Sequence, residues 1–147
     1  MAAKTRRVSF GFLTQRSAAA VLGAAASLLM AATAEAACLK ANTPDQTAEG
    51  RLTSVRISIP DYGLKNEQAY ILRLKTDACL DGTDEHDKVD HTNRIHVYAT
   101  DDAMRKKLRA AVGKQVRVSG SPFGEETLHH HAPIVMGLSN IETLPGK

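Results

Sequence analysis

Tryptophan is absent from this chain of 147 residues, and only three tyrosines and three phenylalanines are present. Sites that stack sugars or single-stranded nucleic acid normally present several flat aromatic faces. A stacking ligand is therefore disfavoured. Local signatures of common catalysts are missing as well: there is no H-E-x-x-H, no H-x-E zinc deaminase signature and no G-x-S-x-G. In Gly120-Ser121-Pro122-Phe123-Gly124 the serine stands in the wrong place for a nucleophile elbow. Cysteine is scarce, limited to Cys38 and Cys79, and no internal repeat or low-complexity tract follows residue 37.

The one long uncharged run lies near the start. Lys4, Arg6, Arg7 and Arg16 form a basic head, Ser17 to Ala34 carry no charge, and Ala34-Glu35-Ala36 is a small-x-small site. That layout predicts a cleavable signal peptide over residues 1–36, with cleavage before Ala37. The run is also near the minimum that spans a bilayer. Its Ala-rich, Gly-interrupted composition argues against a retained anchor, so stable membrane insertion after cleavage is not expected. Glu35 occupies a place where lipoprotein processing wants an aliphatic residue, which argues against lipid on Cys38. Arg6-Arg7 leaves both the general and the twin-arginine export routes open. The expected location is the periplasm or the exterior of a bacterial cell.

Removing that segment changes the charge argument. Four of the 19 Lys and Arg and one of the 16 Asp and Glu precede Ala37, which leaves 15 of each sign. Nucleic-acid binding needs a basic surface that releases counterions from phosphates. None survives except the helix face at Arg105, Lys106, Lys107 and Arg109, which reads more simply as a solvated face. Nucleic acid is thus not an expected partner. Residues 37–147 suffice for one small domain. In an oxidising compartment Cys38 and Cys79 are the pair that would join; the alternative, a reactive thiol, needs a basic or His-rich neighbourhood that neither has locally.

Alternation defines the strands. Leu52, Val55, Ile57 and Ile59 alternate with one phase slip near Thr53-Ser54, which suggests a bulge. Pro60-Asp61-Tyr62-Gly63 breaks the pattern. Tyr70, Leu72 and Leu74 mark a second strand running to Cys79. The acidic stretch from Asp81 to Asn93 is expected to be an exposed loop. Calcium there is conceivable, but the spacing does not fit the EF-hand loop. Ile95, Val97 and Ala99 define a third strand. Thr100 or Asp101 can cap a short helix in which Met104, Leu108 and Ala111 recur at helical spacing before Gly113. Lys114 to Ser119 and Ile134 to Leu144 give two more strands. Three strands, a helix and two strands is the order of the OB-fold. The fold class is therefore mainly β: a small five-stranded OB-fold-like Greek-key barrel with one short helix between strands three and four.

His129, His130 and His131 fall on the connection between strands four and five, which borders the usual binding face of that fold. On extended backbone His129 and His131 would share a face, with His130 pointing away. Such a pair suits zinc, copper or nickel, though no cofactor is required, and further ligands would have to come from His86, His91, His96 or Glu126. The competing reading is that the rings pack and hydrogen-bond to hold the loop.

The same residues resemble the DUF4431 family of exported bacterial domains. Cys38, Pro60-Asp61-Tyr62, Cys79, Gly113-Lys114-Gln115-Val116-Arg117-Val118-Ser119-Gly120, Phe123, Thr127 and the His triplet carry the resemblance, over residues 38–144. Leu128, Ala132 and Glu125-Glu126 stand where the family pattern usually has Gly, Thr and a further His. The resemblance implies the fold, export and the Cys38–Cys79 pairing, and supplies no activity. The functional expectation is an exported, non-catalytic binding module for an envelope protein, a small envelope ligand or a transition metal. It would dock at His129, His130, His131 and Tyr62. Two alternatives are a metal-dependent hydrolase built on the triplet and a purely structural envelope protein.

Overall fold

The computed structural model of the chain describes residues 38–145, so the expected signal segment lies outside the described residues. Among the described residues, six strands and one α-helix follow one another as β1 (Leu39–Lys40), β2 (Gln46–Ile59), β3 (Leu64–Asp81), β4 (Val89–Tyr98), α1 (Asp102–Ala110), β5 (Gln115–Gly124) and β6 (Ile134–Thr143). Short 3-10 turns at Pro60–Tyr62 and Glu85–Asp87 join β2 to β3 and β3 to β4. Among the described residues no helix is long and apolar enough to cross a membrane.

Pairing runs in a closed circuit. β2 pairs antiparallel with β3, β3 with β4, β5 with β6 and β2 with β5, while β4 and β6 run parallel. Going from β2 through β3, β4, β6 and β5 returns to β2, which is the connectivity of a five-stranded OB-fold barrel. Closure leaves few sheet edges for a domain of this size to protect. The two-residue β1 was not legible in the sequence. It pairs parallel with the end of β3, where the Cys38–Cys79 disulfide and the Lys40–Asp81 ion pair hold it.

Alternate residues fill the interior: Leu52, Leu72, Ile95, Val97, Val116, Val118, Ile134 and Met136 are all fully buried. Met104, Leu108 and Ala111 of the helical segment join the same cluster, one turn apart, as their spacing predicts. Asp101 is the cap, its carboxylate accepting the Met104 N–H at 2.8 Å. Past the helix, Gly113 adopts the left-handed conformation (φ 84°) and donates its N–H to the Leu52 carbonyl at 2.8 Å. That bond ties the helix end to β2. Arg105, Lys106, Lys107 and Arg109 are exposed.

Gly50 explains how one strand serves two partners. It is the β2 residue paired both with Leu74 of β3 and with Val116 of β5, and a Cβ there would lie 2.3 Å from the Arg73 carbonyl oxygen. Only glycine permits that approach.

Two expectations need correction. The anticipated irregularity near Thr53-Ser54 is absent, because Thr53 keeps its place in a regular ladder by donating its hydroxyl to the Ile71 carbonyl at 2.9 Å. The register shift instead falls between Ile57 and Ile59, beside Pro60. Nor is the stretch from Asp81 to Asn93 simply an exposed loop. β4 already begins at Val89, and Asp87 is buried at 4% exposure. Its carboxylate accepts the Gly124 N–H at 2.8 Å and the Asn42 side-chain N–H at 2.7 Å. A buried acid with two strong donors stays in place because each satisfies a lone pair that water would otherwise serve.

Candidate functional site

The His segment connects β5 to β6 and closes at its base where the Glu125 N–H donates to the Pro133 carbonyl at 3.1 Å. It is a turn rather than an extended stretch: the His130 N–H donates to the Thr127 carbonyl at 2.9 Å, and the His129 N–H to the Thr127 hydroxyl at 3.3 Å. The three rings therefore diverge for a reason other than strand alternation. His130 turns inward, its Nδ1 accepting the Glu126 N–H at 3.0 Å, with its ring edge-on to Phe123 at 5.3 Å. His129 and His131 come together on a residue the sequence had not singled out, Glu67 near the start of β3. Nδ1 of His129 lies 2.8 Å from one Glu67 carboxylate oxygen, and Nε2 of His131 lies 3.4 Å from the other.

Beneath the loop runs a row of side chains on the outer face of the barrel. Ile71 of β3, His96 of β4, Val135 of β6 and Phe123 of β5 are successive cross-strand partners. Their strand neighbours Leu72, Ile95, Val97, Ile134 and Met136 point inward. An outer row should be wet, yet Ile71 is 4%, His96 9% and Val135 0% exposed. The loop covers it: the His131 ring lies 5.3 Å from that of His96, and the His131 N–H approaches His96 Nδ1 at 3.4 Å. Burial first, then the charges of His131 and His130, push the His96 imidazole down to about 4, against a smaller upward pull from Glu67. His96 is thus a neutral packing residue at physiological pH. For Glu67, desolvation is the largest single influence and raises its pKa, but the hydrogen bonds and charges of His129 and His131 together lower it.

The other sequence candidates are not gathered here. Tyr62 ends the turn between β2 and β3 and is 68% exposed, with no hydrogen bond to the triplet among the described residues. His86 lies in the turn before β4 and His91 on β4 itself. Glu126 contributes its backbone N–H, not its carboxylate. Among the described residues no group of three or more His, Cys, Asp or Glu side chains is arranged to hold a metal ion. The one clue to Glu67 in the sequence was its parity with Ala69 and Ile71, which puts it on the outer face of β3.

A second feature lies at the other ends of β5 and β6. Here an open groove of about 890 Å³ is lined by Leu39, Arg51, Leu74, Lys75, Lys114 and Leu144, among others. That volume is in the range that takes a small molecule or a few residues of peptide.

A mainly β barrel of OB-fold connectivity, with its helix between the third and fourth barrel strands and a His loop folded over its outer face, is the class these observations define. Within it, residues 94–142, from inside β4 through the His loop to the end of β6, match the family described as Domain of unknown function (DUF4431), the family that the sequence resembles. No curated protein matches the chain.

Proposed function

We propose that the chain is an exported, non-catalytic binding module whose ligand, an envelope protein or a small envelope molecule, seats in the groove while the His loop braces the barrel. The observation that carries this reading is the contrast between the two ends. At the loop the reactive groups satisfy one another: both Glu67 oxygens face imidazoles, and His130 Nδ1 accepts the Glu126 N–H. At the groove, Arg51, Lys75 and Lys114 have no ion-pair partner among the described residues. Export is supported by the layout of residues 1–36 and by a disulfide, which persists in oxidising compartments.

Amide NMR spectra of the exported, purified protein test this against a pool of small envelope metabolites and short peptides. Shifts should cluster on residues 47–51, 74–78 and 113–115. Shifts confined to residues 126–131, or turnover of any component of the pool, would overturn the reading.

One observation favours a second reading. His129, His131 and Glu67 bring two imidazoles and a carboxylate together, residue types that bind zinc, copper or nickel, although as placed they hydrogen-bond one another and would have to turn to share an ion. Calorimetric titration with each metal, beside His129→Ala/His131→Ala, separates the two. Tight stoichiometric binding that the variant loses supports a metal site, and equal weak binding by both proteins supports the brace.

A further inference from the structure

The groove exists because two strands part. Gly50 and Leu74 are the last residues at which β2 and β3 pair on this side. Beyond them Thr47 to Glu49 pair only with β5, and Lys75 to Asp77 pair with no strand. Both stretches line the groove, and Lys75, Thr76 and Asp77 are exposed. Unpaired strand backbone is a template for an added strand, which gains affinity from main-chain hydrogen bonds and selectivity from alternate side chains.

Charge supplies the second observation. Of the charged residues lining the groove, Glu49 is bridged to Arg117, so Asp77 is the one unbridged acid facing Arg51, Lys75 and Lys114. These cations come from three places: β2, β3 and the turn before β5. A single small anion gathers its donors at one point, whereas cations spread over three elements around the two unpaired stretches match an extended chain with acidic side chains. Leu39, Leu74 and Leu144 offer apolar contact to the alternate residues. The chain's own first segment, basic at Lys4, Arg6, Arg7 and Arg16, has the wrong sign to be the occupant.

We infer that the groove binds an extended acidic polypeptide segment by strand addition along the β2 and β3 edges, with its carboxylates on Arg51, Lys75 and Lys114. This rests on the reading of the chain as a binding module and names its ligand class.

Fluorescence anisotropy with the exported protein tests it. The probe is a short labelled peptide alternating Glu with Val and Thr. A matched Lys peptide, a version N-methylated at alternate amides, and free citrate are the comparisons. The Glu peptide should bind saturably and more weakly as salt rises. Lys75→Glu/Lys114→Glu should weaken it about tenfold, as reversal of exposed charges does when several act together. Both sites are exposed, so the variant should melt close to the parent. The Lys and N-methylated peptides should not bind, and citrate should not displace the probe. Equal binding of Glu and Lys peptides, unchanged binding after N-methylation, or displacement by citrate would each overturn the inference. If the Glu peptide fails while other ligands still shift groove amides, strand addition is wrong and the binding-module reading stands; if nothing shifts the groove, both fall.

Discussion

His96 should make the fold sensitive to mild acid, and the size of the effect follows from its surroundings. Its ring sits in the covered outer row with Ile71 and Val135, faced by His130 and His131 from the loop and by Glu67 from β3. The folded imidazole titrates at about 4, against an ordinary value of 6.5. A folded pKa below the unfolded one means that the unfolded chain binds the proton more readily as pH falls from 6.5 to 4. Stability is therefore full above that window and is lost progressively within it, levelling off below. The shift corresponds to about 3 kcal/mol. For a domain of this length that lowers the melting temperature by about 12–15 °C. The assay is thermal melting by circular dichroism from pH 4 to 8, for the parent and for His96→Leu, which keeps the row apolar and removes the titration. All other groups are common to both proteins, so the difference between the two pH curves isolates His96. Parallel curves would refute the reasoning.

Two further perturbations follow from single contacts. The disulfide closes a sequence separation of 41 residues. Cys38→Ser/Cys79→Ser should cost about 4 kcal/mol by loop-closure entropy, read as a lower denaturant midpoint with a slope equal to or steeper than the parent's, because the released unfolded chain is less compact; a midpoint unmoved by the change would show that the unfolded chain gains nothing from release. Asp87→Ala strands the buried Gly124 N–H and the Asn42 amide and should cost about 3 kcal/mol in urea denaturation, whereas an effect of a few tenths would mean that water replaces the carboxylate freely.

The parts of this fold legible in sequence are those whose cause is local. α1 announces itself through Asp101, the Met104 and Leu108 spacing, and Gly113. The centres of the barrel strands show their alternation because one face packs inside. What escaped notice depends on partners distant in the chain. Asp87 reads as a loop acid because its donors, Asn42 and Gly124, are remote in sequence. β4 begins early, in V-D-H-T-N, because its first residues are held by β3 and need no apolar alternation of their own. The triplet was visible, but its partner Glu67 lies 62 residues from His129, and no local pattern joins them. The groove was invisible because it arises where strands part at Gly50, and a lone glycine in a strand does not say what opens beside it.

On the proposed reading, recognition and bracing occupy opposite ends of β5 and β6. Its most direct test is the affinity of the labelled Glu peptide for two double variants measured side by side, His129→Ala/His131→Ala and Lys75→Glu/Lys114→Glu. The loop variant should bind as the parent does, though it melts lower, and the groove variant should lose about tenfold in affinity. Loss of binding in the loop variant with retention in the groove variant would contradict that reading.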